Sequence, residues 1–111
     1  MTELYMENML CPVREWLHGL GMELRAEISY GMPFEISLPG RYVDGVETES
    51  LEFGSQVESH RGLAGTAHLY GRIFSSETGA TLLNYMMPLD FYNQICFSQF
   101  AAGVSKTVFH G

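Results

Sequence analysis

Val13, Trp16, Leu17 and Leu20 recur at i, i+3, i+4 and i+7, the repeat of a helix with one apolar stripe. Pro12 suits the first turn, and Gly19 and Gly21 bring the run to an end. Residues 12–20 are therefore predicted helical, with His18 off the stripe at the surface. Residues 23–30 alternate instead. Leu24, Ala26, Ile28 and Tyr30 point one way, and Arg25, Glu27 and Ser29 the other. A surface antiparallel strand has this pattern. So does a barrel strand whose polar side lines the upper interior, and that reading makes Glu27 a site residue or the buried partner of a base. Gly31, Pro33, Pro39 and Gly40 punctuate a loop over residues 31–42. Tyr42, Val43 and Val46 then suit a short strand.

Residues 56–70 return to the helical pattern. Gly62 and Gly65 each cost roughly 1 kcal/mol in a helix relative to alanine. Together with Ala64 and Ala67 they would allow close packing against a sheet. His60 is predicted exposed. His68, four positions after Ala64, faces either the core or a site. Ile73-Phe74-Ser75-Ser76 is a short strand that stops at Glu77, and Thr78-Gly79-Ala80 opens a loop. Pro88 begins a last helix that reaches Ala102. Leu89, Phe91, Tyr92, Ile95, Cys96, Phe97 and Phe100 cover most of its circumference, which predicts burial on more than one side. Gly103 caps it, and Val104 to Phe109 form a strand ending at His110. The order strand, helix, strand, helix, strand implies an α/β fold with parallel strands and helical crossovers. In such folds the carboxyl ends of the strands bind substrates, so Glu77 is a candidate for chemistry. Against that stands its reading as a solvated loop acid.

A chain of 111 residues makes one domain at most. Its net charge of −7 and lack of a basic run argue against nucleic-acid binding, which needs clustered Lys and Arg. The apolar runs are far shorter than the roughly 20 residues of a spanning helix, so no membrane partner is expected. Acids near the amino terminus replace the basic region of a signal peptide. Cys11 and Cys96 read as buried thiols. Asp44, Glu47, Glu49 and Glu52 crowd four acids into nine positions. Such crowding repels unless a cation or solvent relieves it. Oxygen ligands suit calcium, but the D-x-D-x-D-G loop pattern is missing, and a solvated acidic loop is the alternative.

Two stretches carry a family likeness: A-H-L-Y-G-R-I-F-S-S-E, and P-L-D-F-Y-N-Q-I-C-F-S-Q-F-A-A-G-V-S-K-T-V-F-H-G. They resemble the later part of the catalytic barrel of α-L-rhamnosidases of glycoside hydrolase family 106 and related secreted glycosidases. Upstream, R-A-E-I-S-Y-G and V-D-G-V-E-T-E-S resemble that family's R-x-Q-x-Y-G and D-I-P-E-G-E segments. The likeness spans residues 12–111, and residues 1–11 form an extension of unknown role. Three departures stand out. Glu27 replaces an amide, Val46-Glu47-Thr48-Glu49 lacks the proline, and Ser105-Lys106 replaces Asn-Arg. The resemblance implies a partial (β/α)8 TIM barrel, about half of one, from an extracellular enzyme that hydrolyses a glycosidic bond with inversion. It makes Glu77 the general base and His110 a contact to the carbohydrate substrate, with Glu27 and His68, from their strand and helix positions, as further candidates for binding it. Glu47 and Glu49 would hold calcium or sugar hydroxyls. No residue matches the family's general acid, so the chain alone is expected to be inactive. Open barrel edges would favour self-association. The alternative is a free-standing small α/β binding or adaptor module without catalysis.

Overall fold

A computed structural model describes residues 1–28, 31–54, 56–83 and 86–110. A helical run opens the chain: α1 (Thr2–Tyr5), a π-helical stretch (Met6–Leu10) and α2 (Cys11–Gly19). Then follow β1 (Arg25–Glu27), a 3₁₀ turn (Leu38–Tyr42), β2 (Gly45–Glu49), α3 (Val57–Leu69), β3 (Ile73–Thr78), α4 (Leu89–Ala102) and β4 (Lys106–Phe109). Ser29 and Tyr30, which the alternation assigns to the first strand, lie outside the described residues.

The four strands form one sheet in the order β1-β2-β3-β4, and each neighbouring pair is parallel. The α/β reading with helical crossovers therefore holds. The two helical crossovers lie on the same face of the sheet, since α3 packs against α4. The 3₁₀ turn packs on α3, and the π-helical stretch packs on the turn. One helical layer thus covers one face of the sheet, with the amino-terminal helix at the β1 end and α4 at the β4 end.

The core lies between that layer and the sheet. Val46 and Phe74 are paired in register and buried, with Leu63, Ala64 and Ala67 of α3 above them. Met6 and Leu10 belong to the same core. Further along the strands the layer turns polar. Gln99 of α4 donates to Ser76 Oγ at 2.7 Å and accepts from Thr78 Oγ1 at 2.8 Å, all three buried. His60 is fully buried rather than exposed. Its Nδ1 meets Thr48 Oγ1 at 3.0 Å, and its ring stands edge-on to Phe53. Burial lowers its pKa and keeps the imidazole neutral. The reason is helical spacing: His60, Leu63, Ala64 and Ala67 make one i, i+3, i+4, i+7 stripe, and the histidine takes its first place. Gly62 and Gly65 face outward, with open space around them, so the alanines alone make the close packing.

Two apolar stripes do not go where their patterns point. Trp16 is 65% exposed, and Val13 and Leu20 are exposed beside it. On α4 only Ile95, Gln99 and Ala102 are buried, while Leu89, Phe97 and Phe100 stand in solvent. Cys11 and Cys96 are partly exposed free thiols rather than buried ones.

Candidate functional site

Strand parity assigns the sheet's second face. Ala26, Val46 and Phe74 point into the core, so Arg25, Glu27, Gly45, Glu47, Glu49, Ser75, Glu77 and Lys106 point away from it. The helices that pack on β2 and β3, α3 and α4, share the core side of the sheet. Register orders its side chains in rows. Glu27, Glu47, Ser75 and Lys106 form one row, and Glu49, Glu77 and Val108 the next toward the carboxyl ends. Neighbouring strands are about 4.8 Å apart, and like charges directly opposite each other destabilise a sheet. Two acid pairs, Glu27 with Glu47 and Glu49 with Glu77, are therefore register neighbours that need partners of opposite charge or polar donors.

Each acid meets a different environment. Glu47 is buried, and its Oε2 takes an ion pair from Arg25 Nε at 2.9 Å. Its Oε1 is buried without a hydrogen-bond partner among the described residues. Burial pushes the Glu47 carboxyl up, against the Arg25 charge, and the Glu27 and Glu77 charges add to the rise. Glu49 turns to its own loop and accepts from the backbone N–H groups of Leu51, at 2.7 Å, and Glu52. It holds the β2–α3 loop in shape. Glu47 and Glu49 thus serve separate partners. Among the described residues no group of three or more His, Cys, Asp or Glu side chains is placed to hold a metal ion.

Glu77 stands near the carboxyl end of β3, about one third exposed, with its Oε1 3.3 Å from His110 Nε2. His110 follows β4 directly, and its N–H donates to Thr78 O. Beside them Ser50 N–H donates to Glu77 O, and Gly79 N–H donates to Ser50 Oγ. Gly79 has φ +87°, and a Cβ there would lie 2.6 Å from Tyr92, so the turn after Glu77 takes only glycine. The rim carrying the acid–histidine pair is therefore tied together from β2, β3 and β4. Spacing in the sequence identified Glu77 and His110. It did not identify Arg25, Ser75 or Lys106, whose parity on the open face is the signal that finds them.

His68 is not brought to this group. It is exposed in the last turn of α3, which runs against the strands and ends at their amino side. Asp44 also sits at the amino side, and it is not a solvated loop acid. It accepts from Arg14 at 2.6 and 2.8 Å, from the Leu24 N–H at 2.9 Å, and lies 2.7 Å from His18 Nε2. Burial alone would push its carboxyl up, but the bonds from Arg14, Leu24 and His18 hold it well below the usual carboxylate range. A groove of about 230 Å³, lined by Glu23, Leu24, Arg25, Gly45, Ile73 and Lys106, lies at the amino ends of the strands, at the other end of the sheet from Glu77 and His110.

Among the described residues no helix is long and apolar enough to cross a membrane. No protein-family model, no curated protein and no solved structure matches the chain.

Proposed function

We propose that the open face is the sugar-facing interior of a partial (β/α)8 barrel, part of a glycoside hydrolase of the α-L-rhamnosidase kind. Parallel strands in chain order with helices on one face are what such a barrel repeats. A doubly wound fold reverses its strand order and covers both faces. The observation that carries the reading is the Glu77–His110 pair at the carboxyl end of adjacent strands, on the same face as Glu27, Glu47 and Glu49. In this reading Glu77 is the base that activates water, and His110 orients its carboxylate and contacts the sugar. Glu27 and Glu47 lie one row deeper and meet hydroxyls. Inversion also needs an acid on the other side of the glycosidic oxygen. None of the described carboxyls is assigned that role, so the chain binds its sugar without turning it over.

The test uses the purified chain, methyl α-L-rhamnoside as ligand and an aryl α-L-rhamnoside as substrate. Glu77→Gln is expected to weaken binding about tenfold, the loss of one charge-assisted hydrogen bond. Melting should be unchanged, because Glu77 is partly exposed at the end of its strand. Neither chain should release the aryl group. Equal affinity in the two chains would remove Glu77 from the site, and turnover by the native chain would show that the acid is present.

A further inference from the structure

We propose that two copies of this chain close into one eight-stranded parallel barrel, with β4 of each pairing along β1 of the other about a twofold axis. The proposal rests on the barrel geometry argued above and not on its sugar chemistry. Three observations carry it.

The first is topology. The sheet has four parallel strands, and β1 and β4 each have one neighbour among the described strands. A twofold axis running along the strands keeps all eight parallel, and a closed ring leaves no edge.

The second is charge at the seam. Strands of such barrels coil right-handedly, and a row of paired residues followed from β1 to β4 descends toward the amino ends. A shear of eight residues per full circuit gives about four over half a circuit. The row holding Glu27 and Lys106 therefore meets the second copy four residues before its Glu27. Lys106 then faces Glu23 of the second copy, and His110 faces its Glu27. A lysine thus meets a carboxylate at the lower height, and an imidazole meets one at the upper.

The third is the helical layer. In a barrel each helix lies between the strands it connects, so the helix preceding β1 fills the gap between β4 and β1 across the seam. That places α2 of one copy beside α4 of the other. Both carry apolar faces that their own fold leaves uncovered: Val13, Trp16 and Leu20 on α2, and Leu89, Phe97 and Phe100 on α4. Aromatic side chains of this kind dominate stable interfaces.

Sedimentation across a wide concentration range tests the closure. The native chain is expected to sediment at twice its chain mass and to grow no further. Its single tryptophan, Trp16, should emit further to the blue in the dimer than in a monomer. Lys106→Glu and Glu23→Lys should each weaken dimerisation roughly hundredfold or more, because each sets like charges together at both seams. Mixed in equal amounts, the two variants should recover a dimer of one copy of each, since both seams then hold an opposite pair. That recovery also shows that each variant is folded. A native chain that stays monomeric, a mass that rises without limit, or a mixture that fails to recover would each overturn the proposal. Sugar binding is read separately, so a dimer without affinity for rhamnoside would count against the site chemistry alone.

Discussion

Phe74→Ala is expected to lower the unfolding free energy by about 3–5 kcal/mol, the range for truncating a buried aromatic side chain. Phe74 lies on β3, a central strand, and is only 2% exposed. Its ring is enclosed by Val46 beside it and by the α3 stripe of Leu63, Ala64 and Ala67 above. None of these can close the gap without moving the helix that spans the sheet. A natural domain holds about 5–15 kcal/mol in all, so the variant loses a large share and should melt roughly 10 °C lower or more. Leu69→Ala, on α3 and away from the proposed interface, is the matched control. Leu69 is 75% exposed, and its truncation should cost well under about 1 kcal/mol. Denaturant titrations at one fixed protein concentration measure both. A cost below about 1 kcal/mol for Phe74 would mean that the core does not lie between α3 and the sheet.

Asp44→Asn is expected to cost about 2–3 kcal/mol near neutral pH, from one charge-assisted backbone bond and the two bonds from Arg14. Asp44 joins α2 to the start of β1 and the amino end of β2. The asparagine keeps one oxygen but loses the charge that Arg14 faces. His18 is 46% exposed and adds little. The pH dependence follows from the direction of the shift. A carboxyl whose pKa is lower folded than unfolded stabilises the fold fully above its unfolded value of about 3.9, and that gain fades as pH falls toward the folded value. The difference between native and variant chains should therefore be constant from pH 6 to 8 and shrink below roughly pH 4. A difference that does not change on acidification would show that the Asp44 charge is not what holds α2 in place.

The architecture was legible because local periodicity decided it. The strand that carries Glu77, the helix after Pro88 and the strand before His110 all form where apolar spacing places them, although β3 runs one residue further, to Thr78, and β4 starts at Lys106 rather than Val104. Parallel pairing followed from the helices between strands. What was not legible depends on partners far along the chain. Asp44 read as one of four crowded acids, because Arg14 and Leu24 are 30 and 20 residues away from it. The two backbone bonds that Glu49 accepts from the loop after it were not legible either, because they depend on how that loop turns. His60 read as exposed because it is polar, yet its place in the α3 stripe decides its burial. The stripes of α2 and α4 have helical spacing, and spacing alone does not say whether a neighbour exists to cover them. At the site, the carboxyl-end position of Glu77 and His110 could be read from where their strands stop. Their 3.3 Å approach could not, because it needs β3 and β4 side by side in register.

Residue-by-residue NMR of the chain titrated with methyl α-L-rhamnoside tests the central claim most directly. The account predicts shifts at Glu77, Thr78, Val108 and His110, with smaller ones at Glu47 and Ser75 one row deeper, and none at His68 or Asp44 at the other end of the sheet. Shifts confined to the helical layer or to the amino ends of the strands, or no shifts at saturating sugar, would contradict it.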